Sequence, residues 1–131
     1  RRSALALTLE RLRGYDEGMR APVLCHFDLL PPNLIVSEGR WTFLDWEFAA
    51  AGDRLIDIAT LVEVWGLEGD AAAALLGGYG EQVERTSLLI MRARLRMLWF
   101  AWRLSWHRQV VGFEGEIAAI GALLDTADAF G

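Results

Sequence analysis

The sequence predicts an α+β domain that is mainly helical, with a small antiparallel β element near its N-terminal end. Two observations carry that reading. Between residues 23 and 46 the apolar residues come in short runs separated by turn residues, and from residue 55 onward they recur at helical spacing. The run from Thr86 to His107 is the longest helical stretch of the chain.

Residues 3–13 set Leu5, Leu7, Leu9 and Leu12 among polar residues, an imperfect helical pattern. "GYDEGMRAP" is a turn-rich exit from it. "VLCH" (23–26) is a short apolar run, read as a strand. "NLIV" (33–36) and "WTFLDW" (41–46) flank "SEGR", where Glu38-Gly39 supplies a hairpin turn. After "AAAGDR" the period changes. Leu55, Ile56, Ile58, Ala59, Leu61, Val62 and Trp65 define a helix, with Asp53 as its N-cap. Gly66 and Gly69 interrupt it. Residues 70–83 read as helix, with "GGYG" able to cut it short. Gly112 breaks the chain after the long helix, and 114–130 form the last one. With no repeat, linker or low-complexity tract, 1–131 reads as a single domain.

Composition excludes several classes. Hydrophobic residues make up 53% of the 131, enough for a globular core rather than disorder. The net charge is −5 and no basic patch stands out, so nucleic acid is not an expected partner. The one cysteine, Cys25, rules out an internal disulfide and a multi-Cys zinc site. It reads as a small core residue in a reducing, cytoplasmic setting. No signal peptide is legible. Arg92, Arg94, Arg96 and Arg103 break the most apolar stretch, so no membrane span is expected.

The polar residues of "CHFDLLPPN" and "FLDWE" need a purpose beside apolar strands. Asp28 lies in a loop after a strand, and Asn33 begins the next strand. Asp45 ends the one after, where the hairpin can bring it back beside Asn33. Carboxylate and amide oxygens are hard donors suited to Mg²⁺, which takes few protein carboxylates and leaves its other positions to water and phosphate. Asp28 is then free to receive a proton from a substrate hydroxyl. One base, one Asn and one metal-binding Asp are the parts of phosphoryl transfer on the kinase pattern.

"HFDLLPPN" with "FLDWEFAAAGDRLIDIA" resembles the C-terminal lobe of the aminoglycoside phosphotransferase and choline kinase superfamily, small-molecule relatives of protein kinases. The loop matches the His-x-Asp-x-x-x-x-Asn form without a gap, "FLDWE" matches the metal motif, and "GDRLIDIA" matches the segment that opens the next helix. The likeness is strongest to bacterial thiamine kinases and choline-kinase-like proteins, and it covers 23–62 at motif strength. It implies a protein-kinase-like C-terminal lobe, with ATP as co-substrate. It implies Asp28 as catalytic base, and Asn33 and Asp45 as holders of Mg²⁺ on the ATP phosphates. His26 would support the loop and Asp57 would brace it through its backbone. Glu47 stands open between acceptor, second metal and surface. Phe27 and Pro31-Pro32 depart from the Gly, Asn or Glu that relatives carry at those places.

The acceptor implied is a small-molecule hydroxyl of choline, thiamine or aminoglycoside type. Most of the six Trp read as core. One or two on the long helix could instead line an acceptor pocket, where an aromatic face holds a cation at ~0.5–2 kcal/mol per contact. An acidic domain also favours a cation.

A kinase of this type needs a Gly-rich loop and a Lys on the phosphates. All thirteen basic residues here are Arg, and only about 22 residues precede the loop. The expectation is a truncated enzyme that is inactive as this fragment. The competing reading is a natural short protein that serves as a non-catalytic binding module. The surface left by an absent N-terminal lobe, near Asp45 and the hairpin, is expected to pair in a homodimer.

Overall fold

The computed structural model describes residues 3–15, 20–106 and 111–130. Among them run helix α1 (Ala4–Gly14), strands β1 (Val23–Cys25), β2 (Leu34–Ser37), β3 (Arg40–Phe43) and β4 (Ala50–Gly52), then helices α2 (Leu55–Trp65), α3 (Gly69–Tyr79), α4 (Arg85–Trp106) and α5 (Phe113–Phe130). A 3-10 turn, Pro31–Asn33, leads into β2. The mainly helical α+β class read from the sequence is the class of the structure. Residues 16–19 of the "GYDEGMRAP" turn and the end of the long helix at His107 lie outside the described residues. No described helix is long and apolar enough to cross a membrane.

The chain groups into two compact units. The first joins Arg1–Gly18 to Glu84–Gly131. Its helices bury one stripe each: Thr8 and Leu12 on α1, Leu89, Ala93 and Phe100 on α4, and Ile117, Ile120, Leu124 and Ala127 on α5. Leu12, Ala93, Ile120 and Leu124 form one cluster, with Tyr15 and Met97 packed against it. Phe100 meets Phe113 edge to face at 5.0 Å. Ser3 caps α1 by accepting from the Ala6 N–H at 3.2 Å. Leu7, read as part of the apolar stripe, is half exposed, while Thr8 is buried and satisfies its hydroxyl on Ala4 O at 3.0 Å.

A polar clasp closes this unit. Arg11 pairs with Asp125 and Asp128 at 2.8 Å each, and the Tyr15 hydroxyl donates to Asp128. The bond from Tyr15, then that from Arg11, holds the Asp128 carboxyl below its ordinary 3.8, while burial and then the same carboxylate raise the Tyr15 phenol above 10.0. The Asp128 contribution is therefore complete above about pH 4 and lost as pH falls through its lowered folded value. The Tyr15 contribution is complete below about pH 10 and lost as pH rises through its raised one. Melting curves of wild type and Asp128→Asn should converge in strong acid and stay apart at neutral pH.

The second unit is Met19–Val83. Its β element is two ladders rather than one. β1 pairs antiparallel with β4, Cys25 opposite Ala50, and β2 pairs with β3, Leu34 opposite Phe43. Glu38 and Gly39, at φ 49° and 74°, make the hairpin turn that the sequence predicted, both in the left-handed region that matches strand twist. The strand expected over 41–46 stops at Phe43, because Asp45 takes φ 60° and leaves the ladder. β4 was not expected. α2 ends where Gly66 adopts φ 58°, and α3 at Gly80, φ 80°, short of the 83 expected.

The tryptophans depart from the reading as core. Trp41, Trp46, Trp65, Trp102 and Trp106 are all exposed, Trp106 at 71%.

Candidate active site

β1 ends at Cys25, and the next two backbone N–H groups turn away from the ladder. Asp57, in the first turn of α2, accepts both: Oδ2 from His26 N–H at 2.7 Å and Oδ1 from Phe27 N–H at 3.0 Å. Each is a charge-assisted bond. α2 itself is anchored by Asp53. Its Oδ1 accepts from the Leu55 N–H at 2.9 Å, and its Oδ2 takes Arg20 at 2.8 Å. Arg20 was not singled out by the sequence reading, since an Arg in a turn carries no signal of its partner. Cys25 is 1% exposed, and burial pushes its thiol up, which disfavours a thiolate.

His26 is 2% exposed and ties two loops. Asp28 N–H donates to its Nδ1 at 3.2 Å, so a lone pair sits there and Nε2–H donates to Leu44 O at 2.8 Å. The Trp46 ring lies 4.6 Å from the imidazole at a 54° tilt, and its Nε1–H donates to Phe43 O at 2.9 Å. Trp46 was read from sequence only as one of six core candidates. Its role as cover for His26 depends on the turn after β3.

Asn33 and Asp28 are in direct contact. The Asn33 amide nitrogen donates to Asp28 O at 2.9 Å and to Asp28 Oδ2 at 2.7 Å. Both amide hydrogens are thereby used, and Oδ1 remains the acceptor end of that side chain. The loop between them is tied by Leu30 N–H on Asp28 O at 2.8 Å and Asn33 N–H on Leu30 O at 2.9 Å. Leu44 N–H donates to Asn33 O at 2.8 Å, which carries the β2–β3 ladder one residue further and sets Asp45 next in line. Asp45 is exposed, as is Glu47, which lies in a turn closed by Ala49 N–H on Trp46 O at 3.0 Å.

Phe27 and Asp45 both have non-glycine residues in the left-handed region, at φ 65° and 60°. Each costs about 1–2 kcal/mol, and one precedes Asp28 while the other is the second aspartate itself. Among the described residues no group of three or more His, Cys, Asp and Glu is arranged to hold a metal. Asn33 and Asp45 offer an amide oxygen and a carboxylate, hard donors in a set so short that it fits Mg²⁺, not zinc or calcium.

Residues 2–98 match the family model described as the phosphotransferase enzyme family. The chain belongs to that family. Protein LicA of Haemophilus influenzae is similar to it, 38% identical over 88 residues that cover 60% of this chain and 33% of that protein. The LicA homolog of Metamycoplasma hominis is 33% identical over 91 residues, covering 70% of this chain and 35% of its own length. Among solved structures, LicA in complex with AMP aligns with TM-score 0.66 at 21% identity, over 95% of this chain and 45% of that one. Choline kinase LicA from Streptococcus pneumoniae aligns with TM-score 0.65 at 21% identity, over 94% and 46%. A choline/ethanolamine kinase family protein from Mesorhizobium loti aligns at TM-score 0.66. The chain thus spans about a third of those curated relatives and under half of the solved structures, which establish its fold as kinase-like.

Proposed function

We propose that this chain is the C-terminal lobe of an ATP- and Mg²⁺-dependent kinase that transfers the γ-phosphoryl group to the hydroxyl of a small amino alcohol. One observation supports it above the rest. In a gapless His-x-Asp-x-x-x-x-Asn loop, the Asn33 amide holds one oxygen of Asp28, while the β2–β3 ladder leads from Asn33 to Asp45. Choline is preferred to thiamine or an aminoglycoside because two of the similar structures are described as a choline kinase and a choline/ethanolamine kinase family protein. The net charge of −5 also favours a cationic acceptor.

In this reading Asp28 Oδ2 is held by Asn33, and Oδ1 accepts the proton of the acceptor hydroxyl. The hydroxyl oxygen attacks the γ-phosphorus as the bond to the β-bridging oxygen breaks and ADP leaves. Asn33 Oδ1 and the Asp45 carboxylate would hold Mg²⁺, which when bound neutralises phosphate charge. Asp57 and His26 keep the loop in shape, and Glu47 faces the acceptor or a second metal. With no Lys to pair with phosphate, the 131 residues alone are inactive, and turnover belongs to a longer polypeptide. The buried Cys25 suits a cytoplasmic enzyme.

The test is an ATP-dependent transfer assay on the whole reading frame that contains this chain, with choline, ethanolamine, thiamine and an aminoglycoside as acceptors. Transfer to choline is expected, and no transfer to any alcohol contradicts the reading.

The exposed hairpin supports a homodimer. Leu34 and Val36 on β2 face the same side as their partners Phe43 and Trp41, and Val36 and Trp41 are 55% and 61% exposed. A two-stranded ladder with an apolar face is marginal alone. Apart from Arg40 at its start, β3 carries no charge or Pro to guard its edge. A second copy of this chain, adding its own hairpin, would cover that face. Light scattering of the 131-residue chain is expected to report a dimer, and Trp41→Glu with Phe43→Glu a monomer. A monomer in the unmodified chain at high concentration removes the dimer.

A further inference from the structure

We propose that Phe27 and Gly52 form a latch that aims Asp28, with Phe27 as a positioning residue. The inference rests on Asp28 as the base. Phe27 immediately precedes Asp28 and is held at φ 65°, a conformation that an L-residue with a large side chain rarely adopts. Two contacts hold it there. Its N–H donates to Asp57 at 3.0 Å. The end of its ring lies against Gly52 of β4, so close that a Cβ at position 52 would meet Phe27 Cζ at 2.5 Å and Cε2 at 3.1 Å. Cys25 Sγ closes the same spot at 3.5 Å.

A side chain at position 52 would therefore have to push the end of the Phe27 ring, which is 40% exposed, off its seat, while Gly52's own backbone angle does not call for glycine. The ring needs that bare backbone as a seat, and the seat offsets the strain at Phe27. Once seated, the turn at Phe27 fixes where Asp28 begins and which oxygen meets Asn33. A glycine at position 27 would adopt the same φ freely and would need no seat. The two positions are therefore coupled: a side chain at 52 is harmful only while an aromatic ring occupies 27.

The test uses ¹⁵N–¹H spectra of the 131-residue chain. The Asn33 side-chain amide reports its bond to Asp28, and Mn²⁺ broadening at Asp28, Asn33 and Asp45 reports the cation site. Gly52→Ala is expected to shift the Asn33 amide toward the position of a free amide and to remove the broadening. Phe27→Gly should leave both near wild type, and the double variant Phe27→Gly/Gly52→Ala should restore both. A double variant as perturbed as Gly52→Ala overturns the latch, as does a folded Gly52→Ala with an unshifted Asn33 amide. If Gly52→Ala does not fold, Phe27→Ala decides. It keeps the strain and removes the ring, so a shifted Asn33 amide supports the latch and an unshifted one overturns it. If wild type shows no Mn²⁺ broadening even with ATP present while the Asn33 amide follows the pattern above, the kinase reading fails and the latch stands.

Discussion

Replacing Asp28 with Ala, in the kinase proposed above, is expected to lower kcat by ~10²–10⁴-fold, the range that a positioned general base contributes. The KM for nucleotide should change little, because Asn33 and Asp45 remain. Asp28→Asn sharpens the result. It preserves the size of the side chain and can still accept the Asn33 N–H, now held at 2.7 Å, yet it has no carboxylate to take the proton. Both variants should therefore be equally slow while only Ala disturbs the loop. Steady-state kinetics with choline as acceptor measure this. Normal turnover in either variant removes Asp28 as the base.

Asp57→Ala carries the largest expected effect on stability. The carboxylate accepts from His26 and Phe27 N–H at 2.7 and 3.0 Å, and no strand replaces it. Bonds to a charged acceptor are worth about 1.5–3 kcal/mol each. Asp57 is only partly buried, so water recovers some of that. A net loss of about 2–3 kcal/mol is expected, or roughly a 10 °C fall in Tm for a chain of this size. Asp57→Asn keeps one acceptor oxygen and should lose about half as much. Thermal unfolding followed by circular dichroism decides it. An unchanged Tm in Asp57→Ala would mean that the loop holds its shape without the brace.

The sequence made the helical frame legible because α2, α4 and α5 each bury apolar residues at helical spacing, and it made the hairpin legible because Glu38-Gly39 is a turn pair of known habit. β4 was hidden. Ala50, Ala51 and Gly52 have no strand propensity, and their strand exists only because Val23–Cys25 lies opposite. The end of β3 was misjudged for a related reason. Leu44 and Trp46 extend the apolar pattern, but the turn at Asp45 is made by a positive φ that periodicity cannot report.

In the site, the spacing of His26, Asp28 and Asn33 was readable, and the side-chain bond between Asp28 and Asn33 follows from one loop of five residues. The Phe27–Gly52 contact was not readable, since it joins positions 25 residues apart across a ladder that was itself unseen. A signal existed nonetheless. The resemblance implied Gly or Asn where Phe27 stands, residue types that favour a left-handed position, and an aromatic residue there needs a specific seat. The exposed tryptophans show the opposite limit, for residue type alone does not tell which face of a helix or strand finds a partner.

The proposed gathering of Asn33 and Asp45 around one cation, with Asp28 beside it, is tested most directly by titrating Mn²⁺ into the ¹⁵N-labelled chain. Broadening confined to residues 28–33 and 44–47, relieved by excess Mg²⁺ and absent in Asp45→Ala, is the expected result. Broadening that leaves those residues untouched, or that survives in Asp45→Ala, would contradict it.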